Sequence, residues 1–334
     1  MSKILGIIPK NDSSNSTRFC IFLSVVLLCA RAEPLVGEIP RQIPSVALEQ
    51  ALKDEDKHFE DYQTADRGIR VNSEEDNFYR KFFKKALDTT GTTIHEATYL
   101  LPFSYALSTR PQNEKDLEAK FQFSFKTPVF RQIGTLPLNL YFAYTQKSFW
   151  QLYNPAQSRP FRENNYRPEL FLNYQTNVPL YLNDWYAGTL EYLNIGYMHE
   201  SNGGGVDYSR SWDRIVFVAG YKYRQTTVRY KLWARFRERP KENPQDAQGD
   251  DNPDILDYLG NGELMIEQRL GKHIFSATLL SALYRGKGSI LLDYAYPMSN
   301  DLYWYAQVFT GYGESLYDYN RRVRRIGFGL GLFL

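Results

Sequence analysis

Apolar and polar residues alternate along the chain from Thr98 to the C-terminus, in segments bounded by turn residues. This period of two is typical of β-strands, in which successive side chains point to opposite faces. In the last segment, Ile326 and Phe328 share one face while Gly327 and Gly329 share the other. The pattern predicts about twelve strands. They span approximately residues 98–107, 117–130, 136–149, 166–177, 185–200, 211–224, 226–238, 256–270, 273–284, 288–297, 301–312 and 323–334.

Residues 33–97 differ from the rest, because they are rich in Glu, Asp, Lys and Arg. Val46–Leu52 has helical rather than strand character, and Asn77–Ala86 has the pattern of a short amphipathic helix. We interpret residues 33–97 as an N-terminal polar extension that is partly helical or disordered. A folded subdomain is the alternative.

One continuous apolar run precedes this extension. Arg18 is followed by the apolar stretch Phe19–Cys29, and small residues come next at Ala30 and Ala32. A basic residue, a short apolar stretch and a small-residue cleavage site are typical of a signal peptide, and the run is too short to span a bilayer comfortably. We therefore predict that residues 1–32 are removed on export. Both cysteines lie in that segment, so the mature chain would have no disulfide.

Composition distinguishes between two kinds of all-β fold. The mean hydropathy is −0.49, and aromatic residues make up 16% of the chain. A membrane β-barrel combines low mean hydropathy with many aromatic residues, because only one face of each strand contacts lipid. Strands of about ten or more residues and the export signal disfavour a soluble β-sandwich. We predict a 12-stranded antiparallel transmembrane β-barrel over residues 98–334, closed so that no strand edge is unpaired in lipid.

The order of the strands assigns the loops to the two sides of an outer membrane. Both ends of an even-stranded bacterial outer-membrane barrel face the periplasm, so odd strands run outward and the longer connections lie outside. Residues 33–97 are then periplasmic. The net charge of +2, without a long basic block, gives no indication of a nucleic-acid partner. The predicted extracellular loops are residues 150–165, 201–210, 239–255 and 313–322.

One of these loops carries a candidate reactive site. His199 and Ser201 are two residues apart and share a face if the segment is a strand. Asp213 follows after the glycine-rich bend Gly203–Gly205. A nucleophile, a base and an orienting acid thus lie in one hairpin, as acyl transfer by an activated serine requires. The glycines form either a flexible loop or a place where backbone N–H groups approach a substrate oxygen.

Several segments, in consistent order and spacing, also point to a known family. They are Tyr99–Tyr105, Tyr144–Leu152, Pro160–Tyr166, His199–Arg214, Asp250–Ile255 and Gly311–Leu316. These segments resemble those of bacterial outer-membrane phospholipase A, a family of twelve-stranded barrel enzymes. The resemblance runs from about residue 94 to the C-terminus and leaves the N-terminal extension uncovered.

The resemblance implies a serine hydrolase site in the hairpin. Ser201 matches the nucleophile, His199 the general base, and Gly203 the residue whose backbone amide helps to hold the oxyanion. Asp213 takes the place of the third member, which is typically asparagine in the family. Because both residues can accept a hydrogen bond from the imidazole, we expect activity to be kept.

The resemblance also implies a Ca²⁺ ion bound between two subunits. Ser209 and the carbonyl of Gly204 match the ligands from one subunit, and the carbonyl of Ser158 matches the ligand from the partner. Some members have a second, acidic calcium site. Asp251 matches one of its ligands, whereas Val206 stands at the position of the other. Asp251 is therefore either a calcium ligand, which suits a hard cation, or part of a solvated loop.

Two further features leave alternatives open. Gln146 matches a glutamine of the family's dimer interface, and otherwise it would point into the barrel. Four arginines flank the last predicted outer loop, where they either pair with lipid phosphates or form a solvated cluster. These are Arg321, Arg322, Arg324 and Arg325.

Taken with the resemblance, the sequence predicts a calcium-dependent outer-membrane serine phospholipase with A1, A2 and lysophospholipase activity. It would act on phospholipids of the outer leaflet and be active as a homodimer. The alternative is a passive pore or a catalytically inactive structural barrel. The intact set of Ser201, His199 and Asp213 favours the enzyme.

Overall fold

The computed structural model describes residues 89–108, 113–183, 185–243, 246, 248–299 and 301–332. Contacts divide the chain into residues 1–69 and 70–334, and the described residues all belong to the second unit. The predicted signal peptide, residues 1–32, lies outside the described residues, as do residues 33–88 of the predicted extension.

The described chain folds into a closed antiparallel barrel of twelve long strands, preceded by a strand of two residues. The strands are β1 (Thr93–Ile94), β2 (Thr98–Ala106), β3 (Leu117–Phe130), β4 (Leu138–Trp150), β5 (Phe161–Leu182), β6 (Trp185–Ser201), β7 (Ser211–Tyr223), β8 (Thr226–Arg235), β9 (Gly262–Leu270), β10 (His273–Leu280), β11 (Ser289–Pro297), β12 (Leu302–Gly311) and β13 (Val323–Leu332). The long strands pair with their neighbours in sequence, and pairing of β13 with β2 closes the sheet. This confirms the predicted fold class. In the described part, no helix is long and apolar enough to cross a membrane.

The two ends of the barrel differ in the length of their connections. The end at which β2 finishes carries the longer loops, and we call it the outer rim. The predicted assignment of longer connections to one end is confirmed. The outer-rim connections are residues 107–116, 151–160, 202–210, 236–261, 281–288 and 312–322, and those of the opposite end are residues 131–137, 183–184, 224–225, 271–272 and 298–301.

The first barrel strand is interrupted, and strand pairing begins before the predicted boundary at Thr98. Ile94 on β1 lies opposite Phe125 of β3, and Tyr99 on β2 lies opposite Gln122 of the same strand. Between them, the side chain of Glu96 binds charged groups of other strands inside the barrel. The interruption therefore places a carboxylate in the lumen.

The predicted alternation decides which side chains face inward. On β13, Ile326 and Phe328 are 45% and 48% exposed on the outer face. The glycines between them face inward, where a Cβ on Gly327 would lie 2.8 Å from the side chain of the fully buried Leu101. Apolar residues thus cover the outside of the barrel, as a lipid environment requires.

Two predicted strand boundaries are wrong. The predicted strand 256–270 begins instead with a short helix, α1 (Ile255–Leu259), because its apolar residues Ile255 and Leu259 pack into the core cluster around Trp212. The predicted strand 166–177 is part of the longer β5, which starts at Phe161. Polar residues at the start of β5 suggest a loop from the sequence, but they bind other polar groups inside the barrel.

A buried ion-pair cluster fills the lumen near the outer rim. Glu118 on β3 is fully buried and accepts hydrogen bonds from Arg162 Nε at 3.0 Å and Gln151 Nε2 at 2.9 Å. Arg325 Nη2 lies 2.8 Å from the other oxygen of the same carboxylate. Arg162 in turn donates to Asp318 of loop 312–322 at 2.7 Å. The cluster thereby connects three strands with two outer-rim loops.

This cluster corrects one interpretation of the arginines near the last outer loop. Arg325 is 2% exposed and faces the lumen, so it is not available to lipid phosphates. Arg322 and Arg324 are exposed, whereas Arg321 pairs with Asp318 at 3.0 Å. Arg324 and Arg325 differ in exposure because successive residues of β13 point to opposite faces of the sheet.

Removing the carboxylate of Glu118 is expected to destabilise the barrel strongly. Glu118→Ala removes the carboxylate that two buried guanidinium groups share, which should cost about 3–5 kcal/mol of unfolding free energy. Urea unfolding in detergent, followed by electrophoretic mobility, measures this loss. The control is Asp257→Ala, which breaks the pair Asp257–Arg285 with side chains 55% and 49% exposed. Its effect should stay within about 0.5 kcal/mol, and equal losses in the two variants would contradict the prediction.

Candidate active site

The hairpin of β6 and β7 places the predicted reactive residues on the outer face of the barrel, at the outer rim. His199 lies directly opposite Asp213, and Ser201 lies opposite Ser211. Below them on the same face, Tyr197 is 44% exposed. Because these positions are an even number of residues apart along each strand, they share the face that contacts lipid.

The opposite face of the same hairpin is packed inside the barrel. Met198 is 2% exposed and Trp212 is fully buried. Glu200, between His199 and Ser201, accepts hydrogen bonds from Arg214 at 2.6 Å and from the indole N–H of Trp212 at 3.1 Å. The guanidinium of Arg214 also lies 3.5 Å from the centre of the Trp212 ring. These lumen contacts fix the register of the strands that carry the site.

The structure brings His199 and Asp213 into direct contact. His199 Nδ1 donates to Asp213 Oδ1 at 2.8 Å, since a carboxylate can only accept. This leaves the other ring nitrogen, Nε2, free to accept a proton. Among the described residues no hydrogen bond joins Ser201 Oγ to His199, and the two side chains are neighbours on one strand face, with Ser201 partly exposed. The hairpin thus assembles base and orienting acid, with the serine beside them.

The second residue of the loop after Ser201 has a backbone conformation that favours glycine. Gly203 has φ of +62°, in the left-handed region that a glycine adopts freely. A Cβ at this position would lie 3.2 Å from the ring of Tyr166, so the space is also restricted. A residue with a side chain would therefore be strained at this position, and the oxyanion role of the Gly203 backbone amide stays a prediction.

Asn202 organises this loop, and the sequence did not single it out. Its side chain is 8% exposed and donates to the carbonyl of Tyr208 at 2.7 Å. Its amide oxygen accepts from the backbone N–H groups of Gly204 at 3.2 Å and Arg210 at 2.9 Å. One buried amide thereby satisfies three backbone groups of loop 202–210. In the sequence, only its position directly after Ser201 indicated that Asn202 has a role in the site.

Polar residues of β5 support the same loop from below. Glu163 accepts from Asn165 Nδ2 at 2.6 Å and from the backbone N–H of Tyr317 at 3.1 Å. Its second oxygen lies 3.5 Å from Asn202 Nδ2. Asn165 also accepts from the backbone N–H of Leu316 at 3.1 Å. These residues connect the loop that carries the site with loop 312–322.

The predicted calcium ligands lie on different outer-rim loops. Ser209 and Asp251 are brought together, because Ser209 Oγ donates to Asp251 Oδ2 at 2.6 Å. Gly204 lies in the same loop as Ser209, and its ideal Cβ would be 3.0 Å from the carbonyl oxygen of Tyr208. Ser158 lies on loop 151–160, in the left-handed conformation with φ of +57°.

The chemistry of these groups fits a hard cation. Backbone carbonyls, a hydroxyl and a carboxylate are all oxygen donors, which calcium prefers. Asp251 already has a cationic partner, because Lys241 Nζ lies 2.5 Å from its Oδ1. Asp207 belongs to no group of three metal-ligating side chains in the described chain. The oxygen donors therefore fit a calcium ion, while Lys241 neutralises the carboxylate that the second, acidic site would use.

The β8–β9 loop is held against β7 by the segment that contains Asp251. Asn252 is fully buried, and its side-chain oxygen accepts from the backbone N–H of Ser211 at 3.2 Å. Arg235 donates to the Asn252 carbonyl at 2.9 Å and to Asp250 Oδ1 at 2.5 Å. Asp250 and Asn252 are thus structural residues, and they direct the intervening Asp251 toward Ser209.

One other group of side chains has the spacing of a metal site. His95, Glu96 and Glu169 bring ligand atoms within 4.8 Å of one another inside the lumen. Glu96, however, is bound by Lys231 Nζ at 2.9 Å and by Arg167. These cations already neutralise the carboxylates, so the group is an ion-pair cluster of the barrel interior.

Replacing Asn202 is expected to loosen the loop between β6 and β7. Asn202→Ala leaves the backbone groups of Tyr208, Gly204 and Arg210 without their partner, so the loop should open more often. Limited trypsin digestion of folded protein, followed at the Arg210–Ser211 bond by mass spectrometry, should show faster cleavage by about fivefold to tenfold. The matched control is Asn139→Ala, whose side chain accepts one backbone hydrogen bond at the opposite rim. Unchanged cleavage at Arg210 in Asn202→Ala would contradict the assigned role.

Comparison with known proteins identifies the family of this chain. A family model described as Phospholipase A1 matches residues 79–332. A relative in Neisseria meningitidis serogroup B is 33% identical over 258 residues, which are 72% of this chain and 65% of that protein. The chain thus spans slightly less than two thirds of that relative's length. The phospholipase A1 of Klebsiella pneumoniae is 38% identical over 222 residues, covering 66% of this chain and 72% of that protein.

Solved structures give the same result. The outer membrane phospholipase A from Escherichia coli aligns with a TM-score of 0.64 and 33% identity, covering 72% of this chain and 98% of that one. The outer membrane phospholipase of Salmonella typhi, solved as a dimer with bound calcium, aligns with a TM-score of 0.65 and 33% identity, covering 72% and 92%. The barrel is therefore an outer-membrane barrel, and the chain belongs to the phospholipase A1 family.

Proposed function

We propose that this chain hydrolyses acyl ester bonds of phospholipids in the outer leaflet, with Ser201 as the nucleophile. The observation that carries the proposal is the His199–Asp213 hydrogen bond of 2.8 Å on the lipid-facing side of the outer rim, beside Ser201. A lipid in the outer leaflet presents its ester groups at the boundary between acyl chains and headgroups. The site lies at the same level, just above the apolar band of the barrel.

The side chains support acyl transfer in two steps. His199 donates from Nδ1 to Asp213, so its Nε2 takes the proton of Ser201 Oγ as this oxygen attacks the ester carbonyl carbon. The backbone amide of Gly203 stabilises the negative oxygen of the tetrahedral intermediate. Its collapse releases the lysophospholipid, which takes the proton from His199, and leaves an acyl group on Ser201. Water then repeats the sequence and releases the fatty acid.

Calcium and a second subunit complete the proposed site. Ser209 and the Gly204 carbonyl would hold the ion from one subunit, and the Ser158 carbonyl would hold it from the partner. When bound, the ion stabilises negative charge that develops on the ester carbonyl oxygen. The Salmonella typhi relative is a dimer with bound calcium, which supports this part of the proposal.

We further propose that both acyl positions are hydrolysed, so that A1, A2 and lysophospholipase activities occur together. The site lies on an open face of the barrel, with Tyr197 and Ile215 partly exposed beside it. A substrate that lies against an open surface can present either of its esters to Ser201. Release of both chains from lipids labelled at each position would support this breadth.

The lumen does not favour a passive pore. Charged side chains from different elements meet inside the described barrel, as in the contacts of Glu96 with Lys231 on β8 and of Glu314 in loop 312–322 with Arg325 on β13 at 2.7 Å. A cavity of about 410 Å³ remains in the lumen, lined by charged residues such as Glu96, Lys231 and Glu314 together with apolar residues such as Leu259 and Phe309. The interior therefore serves as a scaffold for the outer-face site.

Replacing Ser201 tests the enzyme directly. Ser201→Ala should lower kcat for phospholipid hydrolysis in calcium-containing detergent micelles by at least about a thousandfold, because the nucleophile is lost. The matched control is Ser211→Ala, which removes the serine directly opposite on β7. It should keep most of the wild-type rate. Hydrolysis that persists in Ser201→Ala would overturn the proposal.

Chelation and crosslinking test the metal and the dimer. Removing calcium from the wild-type protein should abolish most hydrolysis and most chemical crosslinking to a dimer. Ser209→Ala should raise the calcium concentration needed for half-maximal activity, because it removes a proposed ligand. Full activity in the presence of chelator would contradict the calcium requirement.

Asp213→Asn is expected to keep most of the activity. An amide oxygen can still accept the hydrogen bond from His199 Nδ1 and fix the same tautomer. Steady-state kcat and KM for Asp213→Asn and Asp213→Ala measure the difference, and the alanine variant should be far slower. A kcat below about one per cent of wild type in Asp213→Asn would show that the negative charge is essential.

A further inference from the structure

A tyrosine hydroxyl shares the carboxylate oxygen that binds the catalytic histidine. Tyr197 donates from its hydroxyl to Asp213 Oδ1 at 2.5 Å, and His199 Nδ1 donates to the same oxygen at 2.8 Å. Tyr197 and His199 are two residues apart on β6, and Asp213 lies opposite His199 on β7. The three side chains therefore form one row along the outer face.

The surroundings explain why this carboxylate needs a second donor. The side chain of Asp213 is 31% exposed, on a face where Ile215 and Ile195 contact lipid. A carboxylate next to hydrocarbon is costly unless hydrogen bonds stabilise its charge. A family member with asparagine at this position has no charge to stabilise. In this chain, where the residue is an aspartate, the tyrosine hydroxyl therefore stabilises a negative charge that an asparagine would not have.

The tyrosine ring is itself held in place. The ring of Phe236, just beyond β8, lies 6.3 Å from that of Tyr197 at an interplanar angle of 45°. The backbone N–H of Phe236 donates to the carbonyl of Asp213 at 2.9 Å. Three adjacent strand segments thus fix the phenol relative to the carboxylate, so the contact does not depend on a freely rotating side chain.

We infer that Tyr197 is a positioning residue of the hydrolytic site, which holds the ionised Asp213 carboxylate against His199. The inference rests on the proposed function, in which His199 is the general base. Tyr197 spreads part of the carboxylate charge onto its own hydroxyl and fixes the orientation of the shared oxygen. It acts on the reaction only through Asp213 and His199.

Few other charged groups face this carboxylate. On β6 the neighbours of Asp213 are the titratable residues Tyr197 and His199. On β7 they are the uncharged Ser211 and Ile215, and β8 continues into the uncharged Phe236. Among the described residues of loop 236–261, Glu238 is a further acidic group whose charge interacts with that of Asp213. Burial, followed by the nearby carboxylates of Asp250, Asp213 and Asp251, raises the pKa of Glu238, while Arg235 opposes the shift. Glu238 cannot replace the hydroxyl, because a carboxylate repels Asp213.

Removing the hydroxyl should have two separable effects. Tyr197→Phe leaves the carboxylate less well oriented, so kcat at the pH optimum should fall about tenfold while KM changes little. The full carboxylate charge then acts on the imidazole and favours its protonated form. Since the base must be neutral, the acidic limb of the pH–rate profile should move to higher pH.

The experiment compares four proteins in calcium-containing mixed micelles of phosphatidylcholine. They are the wild type, Tyr197→Phe, Asp213→Asn and the double variant, with kcat, KM and the pH profile measured for each. With the neutral asparagine, Tyr197→Phe should cost less than about threefold and leave the acidic limb in place. The matched control is Tyr174→Phe, because Tyr174 is 40% exposed on β5. It should match the wild type in all parameters.

Three results would overturn the inference: an unchanged kcat in Tyr197→Phe, a loss of the same size in the asparagine background, or an effect confined to KM. Heat-modifiable electrophoretic mobility confirms that each variant is folded. ¹⁵N NMR spectra of labelled His199 in the Ser201→Ala background provide a readout that needs no activity. Tyr197→Phe should shift the ring-nitrogen resonances of His199, and unchanged resonances would also overturn the inference. If the proposed function itself is wrong, the result is different: hydrolysis by the wild type is then absent or does not depend on Ser201.

Discussion

Closure of the sheet is the constraint on which the rest of this molecule depends. In lipid every backbone N–H and C=O needs a partner within the protein, and a closed barrel provides one for each strand. Closure also fixes the register, so that His199 and Ser201 face outward while Glu200 faces the lumen. A shift of one residue would place the site inside the barrel, where no membrane lipid reaches it.

The lumen supplies the rigidity that the outer face lacks. Buried charges inside the barrel, such as Glu118 with Arg162 and Arg325, connect strands with outer-rim loops. Glu163 and Asn165 extend this support to the loops on both sides of the site. An open lipid-facing site has few packing contacts of its own. Its geometry is therefore set by polar contacts on the other side of the same strands.

Two carboxylates near the site have partners that stabilise their charge. Asp213 accepts from Tyr197 and His199, and Asp251 accepts from Ser209 beside Lys241. In both pairs the partner comes from another strand or loop. These contacts stabilise two acidic groups at the outer rim. The same logic makes the aspartate at position 213 compatible with a family in which asparagine is typical.

The sequence by itself determined the barrel, its strand number, the hairpin at its extracellular end and the family, because strand alternation and closely spaced motifs are local properties. Tyr99–Tyr105 and His199–Arg214 are examples of such segments. Only the tertiary structure decided that Arg325 faces inward, that α1 replaces the start of a predicted strand, and that Asn202 and Tyr197 serve the site. These roles arise from partners on other strands or across a loop. No periodicity along the chain encodes which distant carboxylate or carbonyl a side chain will meet.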